Sequence, residues 1–218
     1  MVTIDSTGFT VSHASRYYCW RIGQSAGGGG WAEVPARRCW PKAAFAADVA
    51  THLVLAADIL WGPTQDTTHF LPLLHQVQGV LRRTAPAVTL EQVLADAAHD
   101  SEPNLVGARA LGVQQPIIAR NPGRFGDRLP RTPERRRLAR RFPVRRYRQR
   151  AHAESVFSAC KRVFGDAIAA RRPTSQLAEL ALRVLTYNIA ILRSTHRPFN
   201  RACVLCGEML LKSTLLRA

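Results

Sequence analysis

Residues 147–161 constrain the fold of this chain more than any other segment, because their polar and apolar side chains separate onto two sides of a helix. At about 100° per residue, the four polar residues of one side fall within an arc of roughly 60°. They are Tyr147, Arg150, Glu154 and Lys161. The apolar residues that cover most of the other side are Ala153, Val156, Phe157, Cys160, Val163 and Phe164. Such a polar side is typical of an ordinary ion-paired surface, or of a site that keeps a carboxylate ionised beside phosphates.

The chain carries a large excess of positive charge. Its 31 Lys and Arg residues stand against 15 Asp and Glu residues, which gives a formal net charge of +16. An excess of this size favours a polyanion as partner. No stretch is long and apolar enough to span a membrane, and the N-terminus lacks the basic and apolar regions of a secretory signal. We therefore expect a nucleic-acid partner, no membrane contact, and a cytoplasmic, nucleoid-associated protein.

The arginines are concentrated in residues 120–150, where thirteen of them stand against two acidic residues. Four prolines in the same stretch argue against regular secondary structure there. We interpret residues 120–146 as an arginine-rich loop that binds phosphates, with Arg145 and Arg146 directly before the segment 147–161. A solvated, flexible loop is the alternative interpretation.

The apolar patterns predict an α/β fold. β-branched, aromatic and short apolar runs predict five strands, at residues 2–11, 43–49, 52–60, 92–96 and 116–119. Helical spacing predicts helices at residues 66–81, 105–111, 147–165 and 175–191. Helices after the third, fourth and fifth strands predict a mixed five-stranded sheet covered on both faces. We expect one domain over residues 1–194, with an irregular loop at 12–41 and a partly helical tail at 195–218.

Two of the predicted strands carry an aspartate, Asp5 in the first and Asp96 at the end of the fourth. If these strands are parallel neighbours, both carboxylates lie at one end of the sheet, and Glu154 on a following helix can complete a cluster of three acids. Hard oxygen ligands, with substrate phosphates in the remaining positions, describe a Mg²⁺ site. Two such ions about 4 Å apart can activate an attacking hydroxyl and stabilise the leaving oxygen. Asp100 is an alternative to Asp96, which we prefer because it ends the strand.

The segments around these acids resemble the three catalytic segments of an insertion-sequence transposase of the DDE class. The first two are Asp5-Ser-Thr-Gly-Phe9 and Ala95-Asp-Ala-Ala-His-Asp-Ser-Glu102. The third, Tyr147-x2-Arg150-x3-Glu154-x6-Lys161, matches the Tyr-Arg-Glu-Lys signature of that class at all four positions and all three spacings. One departure is Ala98-His99, where relatives have a glycine and an aromatic residue. The similarity extends from residue 2 to about residue 194.

The resemblance implies an RNase H-like catalytic core that uses Mg²⁺ or Mn²⁺ to cleave DNA at transposon ends and to join the freed 3′-hydroxyl to target DNA. The implied catalytic residues and metal ligands are Asp5, Asp96 and Glu154. The implied DNA contacts are Tyr147, Arg150 and Lys161, to which the arginine-rich segment adds Arg145 and Arg146. We expect double-stranded DNA as the partner, both transposon ends and target, bound by a homodimer.

A second class of function stays open at this point. Relatives carry a helical DNA-binding segment before the first acid, whereas only four residues precede Asp5, so we expect a truncated copy or a split gene. A decayed, non-catalytic DNA-binding protein is therefore the alternative to an active transposase. Strongly salt-dependent DNA binding without Mg²⁺-dependent cleavage would identify it.

The five cysteines give a weaker signal. Cys203 and Cys206 have the spacing of a zinc knuckle, but no second pair of ligands accompanies them in sequence. Without an export signal, we expect the cysteines to be free thiols rather than disulfides or zinc ligands.

Overall fold

The computed structural model describes residues 1–11, 40–123, 126 and 128–195. Most of the loop expected at residues 12–41 lies outside the described residues, as does the tail beyond Thr195. Four of the five cysteines lie outside them too: Cys19, Cys39, Cys203 and Cys206. Cys160 is a free thiol that is buried in the core, and burial raises its pKa to about 12.

In the described part of the chain, the strands form a mixed sheet of five strands and a small sheet of two. The seven strands are β1 (Val2–Gly8), β2 (Thr10–Val11), β3 (Trp40–Asp48), β4 (Val54–Gly62), β5 (Gln92–Ala95), β6 (Gln115–Ile118) and β7 (Ala167–Ile168). The order in the larger sheet is β4-β3-β1-β5-β6. The pairs β4–β3 and β3–β1 are antiparallel, whereas β1–β5 and β5–β6 are parallel. The sheet is thus mixed, as predicted.

Six α-helices are found in the described part of the chain. They are α1 (Phe70–Thr84), α2 (Glu102–Ala110), α3 (Pro133–Arg140), α4 (Val144–Tyr147), α5 (Ala151–Phe164) and α6 (Pro173–Thr195). Short 3-10 turns precede α1, α2 and α5, at Asp66–His69, Ala97–His99 and Arg148–Arg150. None of the helices that the structure describes is both long and apolar enough to cross a lipid bilayer.

Side-chain alternation along β1 and β3 divides the core between two faces of the sheet. On one face, Ile4 packs in a buried cluster with the apolar sides of α1 and α2. On the other face, Phe45 packs in a second buried cluster with α5 and α6. Because Asp5 follows Ile4 and pairs with Phe45, its side chain belongs to the second face. This architecture confirms the predicted RNase H-like sheet with helices on both faces.

The expected arginine-rich loop is wrong in part, because residues 120–146 contain α3 and most of α4. Pro133 was interpreted as a breaker, but it occupies the first turn of α3, where a missing N–H costs nothing and the fixed φ favours the helix. Glu102 accepts hydrogen bonds from the next two backbone N–H groups of α3, at 2.9 and 3.0 Å. This carboxylate satisfies two N–H groups in the first turn of α3, and a partner so distant in sequence cannot be identified from residues 120–146 alone.

The helix predicted to start at Tyr147 also differs from the observed one. Tyr147 ends α4, residues Arg148–Arg150 form a 3-10 turn, and α5 begins only at Ala151. Tyr147 and Arg150 both have right-handed helical dihedrals, so the chain continues helically from α4 to α5. Between the two helices the hydrogen bonds are of the tighter 3-10 type. The second sheet, in which β2 pairs in parallel with β7, was not predicted, because two-residue strands carry no periodicity.

Candidate catalytic site at the ends of β1 and β5

The register of β1 and β5 brings two of the predicted acids together. Ile4 pairs with Ala95 in the parallel ladder, so Asp5 and Asp96 each follow directly after a paired residue. β5 ends at Ala95 while β1 continues to Gly8, so Asp5 on β1 is level with Asp96, and both aspartates lie where the parallel ladder ends. The expectation that the two aspartate-bearing strands are parallel neighbours is thus confirmed.

Packing of α5 on the sheet brings the third acid over this edge. Phe45, the β3 partner of Asp5, stacks on Phe157 with ring centroids 4.6 Å apart and an interplanar angle of 24°. Glu154 lies one turn before Phe157 on the same helix, and its carboxylate is mostly exposed. The three carboxylates are close enough to interact electrostatically, since the charges of Asp96 and Glu154 both raise the pKa of Asp5.

Asp5 is the most desolvated of the three acids, with 15% of its side chain exposed. Burial is the largest cause that raises its pKa above the ordinary 3.8. The backbone N–H of Ser6, 2.8 Å from Oδ1, and the guanidinium of Arg150 favour the ionised form, but they do not cancel burial. A carboxylate held at such a cost is more typical of a cation-binding group than of a surface residue.

Arg150 links the first and third acids. Its Nη1 donates to Asp5 Oδ2 at 3.1 Å, and its Nη2 donates to Glu154 Oε1 at 2.5 Å. Only 21% of the Arg150 side chain is exposed. Of the two cations on the polar side of this segment, Arg150 therefore pairs with Glu154, and the same guanidinium also neutralises Asp5.

Tyr147 lies beside the same cluster. Burial raises the pKa of its phenol above 10.0, the nearby Arg150 opposes the shift, and the charges of Asp96 and Asp5 add to it. Its ring packs against Phe142, with centroids 5.0 Å apart. The phenol is thereby held close to the acids.

Lys161, on α5, contacts β1 nearer the end of the strand than Asp5 does. Its Nζ donates to Thr7 Oγ1 and to the Gly8 carbonyl oxygen, both at 3.0 Å. The same ammonium stands 5.1 Å from the centre of the Phe9 ring. Lys161 is therefore held beside the strand that carries Asp5, and it is not paired with Glu154 among the described residues.

Asp96 and Asp100 have different surroundings. Asp100 accepts two hydrogen bonds from Arg135, at 2.8 and 2.6 Å, and one from the Asn121 N–H at 2.8 Å, with 4% of its side chain exposed. Among the described residues, Asp96 accepts a hydrogen bond from the Ala98 N–H alone, at 3.0 Å, and its side chain is 35% exposed. Asp100 is thus committed to holding α3, whereas Asp96 has an oxygen to offer to a ligand.

A polar group next to Asp5 was missed by the sequence interpretation. The buried Lys42 donates to Asp66 Oδ1 at 2.5 Å and to the Thr64 carbonyl at 2.7 Å, and Ser6 Oγ donates to the same Asp66 oxygen at 2.6 Å. Burial raises the pKa of Asp66, but the hydrogen bonds from Lys42 and Ser6 and the charge of Lys42 together lower it by more, so the net pKa lies below 3.8. A lysine within the apolar run of β3 is a signal for such a pair, because a buried ammonium needs an acid.

His99, for which no role was assigned from sequence, is fully buried behind Asp96. Its Nε2 lies 3.8 Å from Asp96 Oδ1, and neither ring nitrogen makes a hydrogen bond of normal geometry with the described residues. The ring packs against Phe70 at a centroid distance of 5.7 Å. Burial lowers the pKa of His99, although the charges of Asp96 and Asp66 oppose it.

Arg145 and Arg146 do not join the acid cluster in the described structure. Both side chains are exposed, and Arg146 contacts the side-chain oxygen of Gln115 on the sheet edge. Gln115 is at the opposite end of β6 from the residues that pair next to the acids. These two predicted DNA contacts therefore lie at some distance from Asp5.

The acids fit a divalent cation by their chemistry, although their described arrangement does not form a metal cage. Three carboxylates are the donors that Mg²⁺ and Mn²⁺ prefer. No three His, Cys, Asp or Glu side chains of the described residues are close enough together to hold an ion. Instead, the guanidinium of Arg150 supplies the positive charge between Asp5 and Glu154.

Comparison with protein families identifies a family for this chain. The family model of the transposase DDE domain matches residues 2–189, which include β1, β5, α5 and all three acids. A search of curated proteins finds no match.

Proposed function

The chain belongs to the family of transposase DDE domains, and on that premise we propose that it is a metal-dependent DNA transposase of an insertion sequence. In this proposal it cleaves DNA at the ends of the element and transfers the freed 3′-hydroxyl strand into target DNA. The gathering of Asp5, Asp96 and Glu154 at one edge of the sheet is the observation that carries the proposal.

The proposed metal ligands are the carboxylates of Asp5, Asp96 and Glu154. Mg²⁺ or Mn²⁺ bound there would polarise the scissile phosphate and increase the acidity of the attacking hydroxyl. Asp96 is favoured over Asp100 because Arg135 and Asn121 already occupy the oxygens of Asp100.

The cationic residues of the site have proposed roles in placing the DNA. Arg150 is near enough to Asp5 and Glu154 to contact a phosphate that approaches the acids. Lys161 presents an ammonium from beside β1, and the Tyr147 phenol can donate to a phosphate oxygen from the other side. Phosphoryl transfer depends mostly on position and charge neutralisation, which such groups provide.

The proposal is tested by cleavage and strand-transfer assays on linear duplexes that carry the genomic sequence flanking the coding region. We expect Mg²⁺-dependent nicks and joined products from the wild-type chain, and none above background from Glu154→Gln. Glu179→Gln is the matched control, because Glu179, like Glu154, is an acid of a helix that pairs with an arginine at a separation of four residues. Cleavage that survives in Glu154→Gln contradicts the site assignment.

A second candidate function is binding to DNA without cleavage. The salt bridges of Arg150 to Asp5 and Glu154 favour it, because a cation built into the protein already neutralises the acids. Salt-dependent binding with no cleavage in either Mg²⁺ or Mn²⁺ would select this function over the first.

The proposed partner is double-stranded DNA, both element ends and target, bound by two copies of the chain. The net charge of +16 supports a polyanionic partner and a place at the nucleoid in the cytoplasm. Sedimentation of the protein with and without a duplex tests the homodimer.

A further inference from the structure

The outer edge of β6 carries a cleft that is separate from the acids. β6 is the last strand of the larger sheet as the structure describes it, so one side of its backbone has no neighbouring strand within residues 1–11, 40–123 and 128–195. An open cleft of about 640 Å³ lies there, between β6, α2 and the segment from α3 to α4. Five arginines line it against a single acid, Glu134: they are Arg109, Arg137, Arg140, Arg141 and Arg146.

Some arginines of this cleft already pair with a carboxylate, and others do not pair with one among the described residues. Arg109 and Arg137 share the carboxylate of Glu134, at 2.7 and 3.5 Å. Arg140 and Arg141 are exposed, and neither has a carboxylate partner within the part of the chain that the structure describes. The two guanidinium groups are therefore available to an anionic ligand that enters the cleft.

The open edge itself is unsuited to another protein strand. Gln115 and Ala119 donate their N–H groups inward, to Glu91 and Ala95, so the N–H groups of the even-numbered residues point outward. Pro116 is at one of these outward positions and has no N–H to donate. An added strand would lose that hydrogen bond and would face several arginines, whereas phosphates need only the arginines.

The register places the cleft at a defined distance from the acids. Ala95 pairs with Ile118, so Asp96 is level with residue 119, and Gln115 lies four residues towards the other end of β6. At 3.3 Å per residue, Gln115 is about 13 Å from the level of Asp96, measured along the direction of β6. The segment 146–150 joins the two places, because Arg146 contacts Gln115 while Arg150 contacts Asp5.

We infer that this cleft binds the phosphate backbone of the DNA duplex whose strand is held at the acids. The inference rests on the proposed function, since it concerns the substrate of that site. Its ligand class is a double-stranded polyphosphate, and its contacts are independent of base sequence.

Binding of a short fluorescent duplex of arbitrary sequence, titrated at several salt concentrations in EDTA, tests this inference. Arg140→Ala/Arg141→Ala should weaken binding and reduce the slope of log K against log [salt] by about 2. Arg82→Ala/Arg83→Ala is the matched control, since it removes two adjacent, exposed arginines at the end of α1. The control should leave the slope unchanged.

Equal losses in the two double variants would overturn the inference, because they would show a general effect of net charge. Unchanged binding in Arg140→Ala/Arg141→Ala would overturn it too. Because EDTA removes the metal, these outcomes do not depend on cleavage, which the Glu154→Gln assay tests separately.

Discussion

Arg150 and Asp5 are 145 positions apart in sequence, yet their side chains form a salt bridge of 3.1 Å at the edge of the sheet. The bridge offsets part of the cost of burying Asp5, and the second arm of the guanidinium holds Glu154. One arginine thus gives the acid cluster an internal counter-ion. A divalent cation that binds the same carboxylates must compete with it.

We expect Arg150→Met to destabilise the metal-free chain by about 1–3 kcal/mol, because Asp5 stays desolvated after its cation is removed. Mg²⁺ should then raise the Tm of the variant more than that of the wild type, since the carboxylates are freed. Thermal unfolding in EDTA and in Mg²⁺ measures both effects.

Arg183→Met is the control for that comparison. Arg183 pairs with Glu179 four residues earlier on α6, at 2.6 Å, in the same spacing as Arg150 and Glu154. The control should lose stability without changing the Mg²⁺ response. Identical Mg²⁺ shifts in wild type and Arg150→Met would show that the guanidinium does not compete with the cation.

His99→Phe should remove a pH dependence of stability and raise stability in mild acid. The folded-state pKa of His99 is lowered from 6.5 by burial, so the unfolded chain binds the proton more tightly. The contribution of the neutral ring is complete above pH 6.5, and it is lost as the pH falls from there towards the lowered pKa. Denaturant unfolding of both proteins between neutral and mildly acidic pH measures the difference.

His75→Phe serves as the control for this prediction, because His75 is exposed on α1. It should leave the pH dependence in place. A stability curve of His99→Phe that runs parallel to that of the wild type would mean that His99 is equally protonated in both states.

The acid-bearing parts of the fold were predictable because each has a local signal. Asp5 and Asp96 stand out within or at the end of apolar strands, and residues Ala153, Val156, Phe157 and Cys160 are buried at their predicted helical spacing. Val163, which was placed on the same apolar side, is 56% exposed, whereas Phe164 beside it packs against the second cluster. Periodicity marks a side of a helix, but it does not show which residues at the margin of that side reach the core.

The contacts that organise the site were not predictable, since their partners are distant in sequence. Lys42 and Asp66, or Arg150 and Asp5, become neighbours only when the strands take their register. For α3 the decisive group is Glu102, more than thirty residues before the helix that it caps. The local start signal of that helix, Thr132 followed by Pro133 and Glu134, is short and lies among prolines and arginines, and the sequence interpretation did not use it.

Glu102→Gln should destabilise the first turn of α3, the helix that carries arginines of the cleft beside β6. Burial raises the pKa of Glu102, but the N–H groups of Glu134 and Arg135 lower it more, and the net value lies below 4.5. A lowered pKa stabilises the fold above pH 4.5, and this stabilisation is lost as the pH falls through the folded-state value. Hydrogen exchange of the α3 amides should be faster in the variant at neutral pH and should converge with the wild type in acid.

Glu91→Gln is the matched control for the cap, since it removes an exposed carboxylate that lies directly before β5. It should leave exchange in α3 unchanged. Equal exchange rates in Glu102→Gln and the wild type at neutral pH would show that the carboxylate does not hold the helix.

Phe157→Ala should be the most destabilising of the substitutions, at about 3–5 kcal/mol, because it opens a cavity against Phe45 under the acids. Loss of the stack also frees α5 to shift, so we expect cleavage to fall by more than the unfolded fraction explains. Phe157→Leu keeps most of the volume and should retain more of both properties. Val163→Ala on the same helix is the exposed control and should change stability by less than about 0.5 kcal/mol. Urea unfolding and cleavage rates of the three variants provide the comparison, and a loss in Phe157→Ala no larger than in Val163→Ala would show that the stack does not fix α5.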